Sequence, residues 1–192
     1  MHTLKCVVFS RILGIRKEIG HRTIFNKVGP LTNPANPQTM LIGAYSVNAA
    51  KDIAYVVKEL GGVKRAMVVH GQDGLDEISL YELTTVFDVE DSEEIKEYTI
   101  YPDYTPYSTQ ISLKVDSAEE SASICRKILH NKRLSQREDA MKRAVIPNVA
   151  MAMYVNDLVG SRGEGTCLAQ ESIESGAAKQ KLEELIKLIN SF

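Results

Sequence analysis

The chain has 192 residues, 44% of them hydrophobic and 25% charged, enough for one domain with its own core and far from the composition of a disordered segment. Lys and Arg total 23 against 25 for Asp and Glu, and a formal net charge of -2 gives no electrostatic reason to expect nucleic acid or an anionic membrane as a partner. No run approaches the apolar length that spans a bilayer, and residues 1–10 are too short and poorly flanked for a secretory signal.

The first informative stretch is Arg16-Lys17-Glu18-Ile19-Gly20-His21-Arg22-Thr23-Ile24-Phe25-Asn26, followed by Gly29-Pro30-Leu31-Thr32-Asn33-Pro34. Turn formers at Gly29-Pro30 and Asn33-Pro34 fix the path of a loop, and Arg16 and Arg22 flank a helix-to-loop boundary. Each arginine offers a planar fork that suits a carboxylate, although a surface ion pair is the commoner use of such a side chain.

Residues 40–45 form a short apolar run, as expected of a buried strand. Residues 48–60 carry Ala49, Ile53, Val56, Val57 and Leu60 at helical spacing and stop at Gly61-Gly62. A second buried strand covers 65–70. Strand, helix and strand make a βαβ unit, which requires a parallel pair. The pattern from 82 to 99 is irregular, with acidic residues clustered at 90–94, and the Tyr- and Pro-rich residues 98–107 read as an exposed loop.

Residues 117–129 predict an amphipathic helix with Ala118, Ala122, Ile124, Cys125 and Ile128 as its apolar positions. Residues 138–155 predict another, which Pro147 is expected to kink or divide, because the ring removes a donor and clashes with the preceding turn. Residues 170–189 close the chain as helix in one or two segments, with Gly176 as the weak point. No repeat or low-complexity linker interrupts the chain, so residues 1–192 are expected to form a single α/β domain. Its sheet is expected to be mixed and largely parallel, flanked by helices. Only two parallel strands are convincing, so the domain reads as lacking its beginning. Cys6, Cys125 and Cys167 are odd in number and scattered; they define neither a disulfide framework nor a zinc site and read as buried or incidental thiols in a reducing cytoplasm.

The second chemical stretch is Val68-Val69-His70-Gly71-Gln72-Asp73-Gly74-Leu75-Asp76-Glu77. It leaves the C-terminal end of a predicted parallel strand, where open α/β sheets bind ligands. Asp73, Asp76 and Glu77 place three carboxylates in one short loop. Such a loop suits Mg²⁺, which takes one or two carboxylates and completes its shell with water and substrate phosphates; equally, an acidic turn can simply cap a following helix. His70, before a glycine at a strand end, is read as ordering the loop by hydrogen bonding rather than moving protons, and His21 as a partly exposed helix-end residue. Asn148 is assigned a structural hydrogen bond.

Both stretches resemble the signature segments of anthranilate phosphoribosyltransferases: Arg16-Lys17-Glu18-x-Gly20-x-Arg22-Thr23-x-Phe25-Asn26-x-x-Gly29-Pro30-Leu31-Thr32-Asn33-Pro34, and Val69-His70-Gly71-x-Asp73-Gly74-Leu75-Asp76-Glu77. They stand in the family's order and at a fitting spacing. The likeness is sharp from Arg16 to Ser79 and continues through helical pattern to about Leu188. The resemblance implies a catalytic domain like those of glycosyltransferase family 3 and the nucleoside phosphorylases. It implies transfer of a phosphoribosyl group from phosphoribosyl pyrophosphate to anthranilate, a step of tryptophan biosynthesis. By the same resemblance Arg16, Gly29 and Pro30 bind anthranilate, and Asp76 and Glu77 hold Mg²⁺ against the diphosphate. No nucleophilic side chain is implied.

The 192 residues contain no Gly-Thr-Gly-Gly-Asp diphosphate loop, no Lys-His-Gly-Asn segment and no counterpart of the family's N-terminal helical domain. Residues 1–15 depart from the family's His-Pro-containing stretch; His2 and Lys5 stand at the wrong distance from Arg16, and a disordered terminus is expected there. The chain is therefore read as an N-terminally truncated portion, weak or inactive alone, for which the family's homodimer through the helical domain is not expected. Two other readings stand beside it. One is a remnant or split-enzyme half serving as a binding or interaction module. The other is a pyrimidine nucleoside phosphorylase-like enzyme, against which both signature segments argue.

Overall fold

The computed structural model describes residue 18 and residues 20–91, 93–102 and 111–191. A short helix α1 (Phe25–Val28) runs directly into a 3-10 turn over Gly29–Thr32, where Pro30 loses nothing by lacking an N–H near a helix start. Strand β1 (Thr39–Gly43) follows, then α2 (Val47–Leu60) and strand β2 (Arg65–Gly71). Ser46 caps α2 by accepting the Ala49 N–H at 3.1 Å, and Gly61 ends it with φ of 64°. β1 and β2 pair in parallel, Thr39 opposite Arg65 through Gly43 opposite Val69, as the βαβ reading requires.

The period of two along β2 divides the core. Ala66 and Val68 face α2, packing with Ile42, Ile53, Val57 and Phe87, whereas Met67 and Val69 face the opposite side with Val86, Met151 and Val155. Burial of a side chain such as Ile53 or Phe87 contributes about 1.5–3 kcal/mol. Because both faces are covered, β2 is a continuous buried apolar run from Ala66 to Val69 rather than alternating.

The irregular stretch after residue 82 is a hairpin: β3 (Thr84–Glu90) and β4 (Lys96–Ile100) pair antiparallel, and β3 pairs antiparallel with β2. The sheet is thus mixed, in the order β1-β2-β3-β4. Among the described strands its parallel share is the single β1–β2 ladder, smaller than expected. Tyr98 belongs to β4 rather than to a loop; residues 103–107 of the expected loop lie outside the described residues.

Asp88 of β3 is buried because Arg65 meets it across the ladder, Nε and Nη2 donating to Oδ1 and Oδ2 at 3.2 and 2.8 Å. The Arg65 guanidinium also lies 4.8 Å from the Tyr154 ring centre. Its pKa is raised further, chiefly by the Asp88 bond. Partial desolvation of its hydroxyl against this cluster pushes Tyr98, exposed as a whole residue, up to about 12. Lys58 closes the hairpin from α2, donating to the carbonyls of Glu90, Asp91 and Glu93 at 2.8, 2.7 and 2.7 Å.

Four helices complete the fold: α3 (Ala118–Leu129), α4 (Gln136–Val155), α5 (Arg162–Glu174) and α6 (Ala177–Ile189). Serines 117, 135 and 161 cap the first three, and Ser135 with Glu138 completes a capping box. The buried residues of α3 are Ile124 and Ile128 alone; Ala118, Ala122 and Cys125 are exposed, correcting the wider apolar face expected. Cys125 and Cys167 are free and exposed. Pro147 does not divide α4, which runs unbroken from Gln136. The closing helical region starts earlier than expected, at Arg162, and breaks at Gly176, whose φ of 81° suits only glycine well. No helix among the described residues is long and apolar enough to cross a membrane.

Candidate active site at the C-terminal end of the parallel pair

The acidic turn begins where β2 ends. Gly71 accepts the Gly74 N–H and donates to the Leu75 carbonyl, both at 2.9 Å, so the chain reverses within four residues; Gly74 stands at φ of 89°. Asp73 is consumed inside the turn: its Oδ2 accepts the Ser79 hydroxyl at 2.6 Å. The same Ser79 Oγ accepts the N–H groups of Tyr81 and Glu82 at 3.1 and 2.9 Å. One of the three carboxylates therefore builds the loop, and Asp76 and Glu77 remain exposed and free of a cationic partner among the described residues.

Two strand ends hold the turn. The Nδ1–H of the buried His70 donates to the Ala44 carbonyl at 2.8 Å and ties the end of β2 to the end of β1. This is the ordering hydrogen bond expected of it. Gly43 lies directly against the turn, a β-carbon there falling 1.7 Å from the Asp76 carbonyl oxygen. On the other side, Asn148 of α4 accepts the Ile78 N–H through Oδ1 at 2.9 Å and donates to the carbonyls of Ala144 and Ile78 at 2.9 and 3.4 Å. The expected structural hydrogen bond is there, and its partner is the residue immediately after Glu77.

The Gly-Pro segment lies along the open edge of the sheet, where Pro30 lines a groove of about 360 Å³ with Met40, Val57, Leu60 and Gly61, toward the start of β2. Pro30 also lines a groove of about 370 Å³ with Asn33, Pro37 and the β1 residues Thr39 to Gly43. This second groove ends at the glycine on which Asp76 rests. Gly29 is half-buried, and its carbonyl accepts the Thr32 hydroxyl at 3.0 Å. The Arg22 guanidinium stacks 4.1 Å from the ring centre of Tyr45, two residues beyond β1. Gly20, His21 and Arg22 are exposed. Arg16 and His2 lie outside the described residues, as does the terminus expected to be disordered.

The electrostatics fit a divalent cation. Glu77, exposed as a whole residue, stands at the rim of an apolar cavity of about 440 Å³ walled by Leu113, Ile124, Met141 and Val149, and its carboxyl is raised above the ordinary 4.5, first by the partial desolvation this wall imposes and then by the neighbouring charge of Asp76. Two adjacent carboxylates without a counter-ion are what a Mg²⁺ site that relies on water and substrate oxygens offers. No cluster of three or more His, Cys, Asp or Glu that could enclose a metal occurs among the described residues.

Tyr45 and Gly43 were visible in the sequence only as members of a strand run. A glycine closing an otherwise apolar strand, before a polar turn, is the signal that marks Gly43.

A mixed α/β sheet with its polar turns gathered at the C-terminal end of a parallel pair defines the class. The chain belongs to the glycosyl transferase family a/b domain, whose family model matches residues 3–179. Among curated proteins it is similar to the anthranilate phosphoribosyltransferases of Acetivibrio thermocellus, 41% identical over 93% of this chain and 50% of that one, and Clostridium beijerinckii, 43% identical over 90% and 50%. Among solved structures it resembles the Saccharomyces cerevisiae enzyme in complex with 4-fluoroanthranilate, with a TM-score of 0.81 at 26% identity, covering 95% of this chain and 52% of that one. A second complex of the yeast enzyme contains phosphoribosyl pyrophosphate and Mg, with a TM-score of 0.79 at the same identity and coverage. The Thermus thermophilus enzyme gives a TM-score of 0.75 at 30% identity over 92% and 51%. The chain spans about half the length of the curated relatives it matches.

Proposed function

We propose that residues 1–192 form a single α/β unit carrying the anthranilate seat and the metal anchor of a cytoplasmic anthranilate phosphoribosyltransferase. The observation that carries this reading is that both signature segments adjoin β1: the Pro30 groove runs along the strand as far as Gly43, and Gly43 supports Asp76. Relatives in complex with 4-fluoroanthranilate and with phosphoribosyl pyrophosphate and Mg support the substrate class.

In this reading Pro30 and Gly29 wall the aromatic acid and Arg16 engages its carboxylate, holding the amine toward the ribose. Asp76 and Glu77 hold Mg²⁺, which would neutralise the charge gathering on the departing diphosphate. The side chains position and screen; none attacks. The sequence contains no Gly-Thr-Gly-Gly-Asp loop to supply a backbone cradle for the diphosphate, so the chain alone is expected to turn over very slowly or not at all.

A chimera tests the assignment. This chain replaces the matching half of the Acetivibrio thermocellus enzyme, and product formation is followed by the loss of anthranilate fluorescence. The chimera is expected to form phosphoribosyl anthranilate, to lose at least about a hundredfold with Asp76→Asn and Glu77→Gln together, and to release no thymine from thymidine and phosphate. A folded chimera without transfer activity contradicts the assignment. The isolated chain turning over at ordinary enzyme rates contradicts the expected dependence on the missing loop.

A further inference from the structure

We infer that Asn148 is a positioning residue for the Asp76–Glu77 cation site, acting through the backbone of Ile78 without touching the cation; the inference rests on the metal reading of that pair. The argument begins with the loop. Asp76 and Glu77 make no hydrogen bond or ion pair of their own among the described residues, so where their carboxylates stand depends on the backbone on either side. On the side before them, the turn is fixed by Gly71 and by the contact of Asp76 with Gly43. On the side after them, the first fixed point is Ile78, and the group that fixes its N–H is a side chain from α4, 70 residues away in sequence.

The amide is suited to this task in a way few side chains are. One Asn148 oxygen takes the Ile78 N–H at 2.9 Å, while its NH₂ donates back to the Ile78 carbonyl at 3.4 Å and down to the Ala144 carbonyl at 2.9 Å. Acceptor and donors are thus both engaged, which fixes the orientation of the amide as well as its place. The anchor itself is rigid. Asn148 follows Pro147, which is buried within a continuous helix, and the next turn carries the buried Ala150 and Met151. Ile78 is buried among Met67, Val69, Val86 and Met151, so the clamp joins two packed elements. The clamp fixes, before a cation arrives, the backbone from which the two carboxylates project. Groups that orient metal ligands from outside typically change metal affinity by about 10–100-fold when removed.

The experiment is Mn²⁺ binding to the purified 192-residue chain, read by water-proton relaxation, with amide exchange at Ile78 as a second readout. Wild type is expected to bind, and the paired Asp76→Asn, Glu77→Gln variant to lose that binding. Asn148→Ala is expected to bind about tenfold more weakly and to exchange the Ile78 amide faster. Ile53→Val, in the cluster between α2 and the sheet, on the face opposite Ile78, is the control for general destabilisation and is expected to bind as wild type does. If Asn148→Ala binds Mn²⁺ as tightly as wild type while the carboxylate variant does not, the positioning role is overturned and the metal site stands. If Ile53→Val weakens binding as much as Asn148→Ala, the effect is one of stability and the role is again overturned. If wild type and the carboxylate variant are indistinguishable, the metal reading falls and the inference with it.

Discussion

The carbonyl oxygen of Asp76 lies 1.7 Å from where a β-carbon on Gly43 would stand, closer than any two non-bonded atoms can approach. The end of β1 and the acidic turn after β2 are therefore in direct backbone contact, and that contact exists because residue 43 has no side chain. Gly43→Ala is expected to cost about 1–3 kcal/mol, as overpacking of a fixed site does, and to weaken cation binding at the turn. Gly71→Ala meets the Asp73 Oδ1 at 2.6 Å, the movable end of a side chain, so its cost is expected to be the smaller of the two. Urea denaturation of both variants checks the order.

Glu77 gives a prediction about pH. Partial desolvation and the charge of Asp76 raise its carboxyl above 4.5 in the folded chain, so the folded state holds that proton more tightly than the unfolded state does. Stability is then lost as pH rises from 4.5 through the raised value. Glu77→Gln is expected to remove that loss, melting higher than wild type at neutral pH without added cation. Mg²⁺ is expected to raise the melting temperature of wild type and to leave the variant unchanged. Thermal unfolding with and without the cation measures both.

Glu138 behaves in the opposite sense. The Lys127 ammonium at 2.6 Å, with the Ser135 N–H and hydroxyl, holds its carboxyl down to about 2. The stability this supplies is complete above 4.5 and is lost as pH falls toward 2. The melting-temperature gap between wild type and Glu138→Gln is expected to be widest above pH 5 and to close across that window.

Asp88 and Arg65 form the buried ion pair of the sheet, their side chains 6% and 15% exposed. Asp88→Ala leaves the guanidinium without its main partner and is expected to cost about 3–5 kcal/mol. The same pair explains why the hairpin was hard to read. Thr84–Glu90 has an aspartate where a buried strand calls for an apolar residue, and only the arginine that β2 brings alongside makes that burial tolerable. In β4, every residue but Ile100 is exposed, so no apolar alternation marks it. By contrast β1, α2 and β2 were legible because burial on both faces of the sheet and one face of the helix writes a local periodicity.

Pro147 shows the limit of a local rule: its ring costs α4 one donor, yet the helix continues, packed by Ile146, Ala150 and Met151. At the proposed site, Asp76 and Glu77 are assigned by the resemblance of their motif. Asp73 was not separable from them by composition, since only Ser79 reveals that it is structural. Gly43 and Asn148 act on the turn from distant parts of the chain, and no spacing within the sequence announces that.

The proposed convergence of anthranilate and the cation on one site is tested most directly by the magnetic effect of one ligand on the other. Mn²⁺ is added to the chain with anthranilate present, and the ring protons of anthranilate are followed by NMR. The account predicts that protein-bound Mn²⁺ broadens them and that the Asp76→Asn, Glu77→Gln variant abolishes the broadening. Anthranilate that binds the chain yet stays sharp beside protein-bound Mn²⁺ would place the two ligands apart and contradict it.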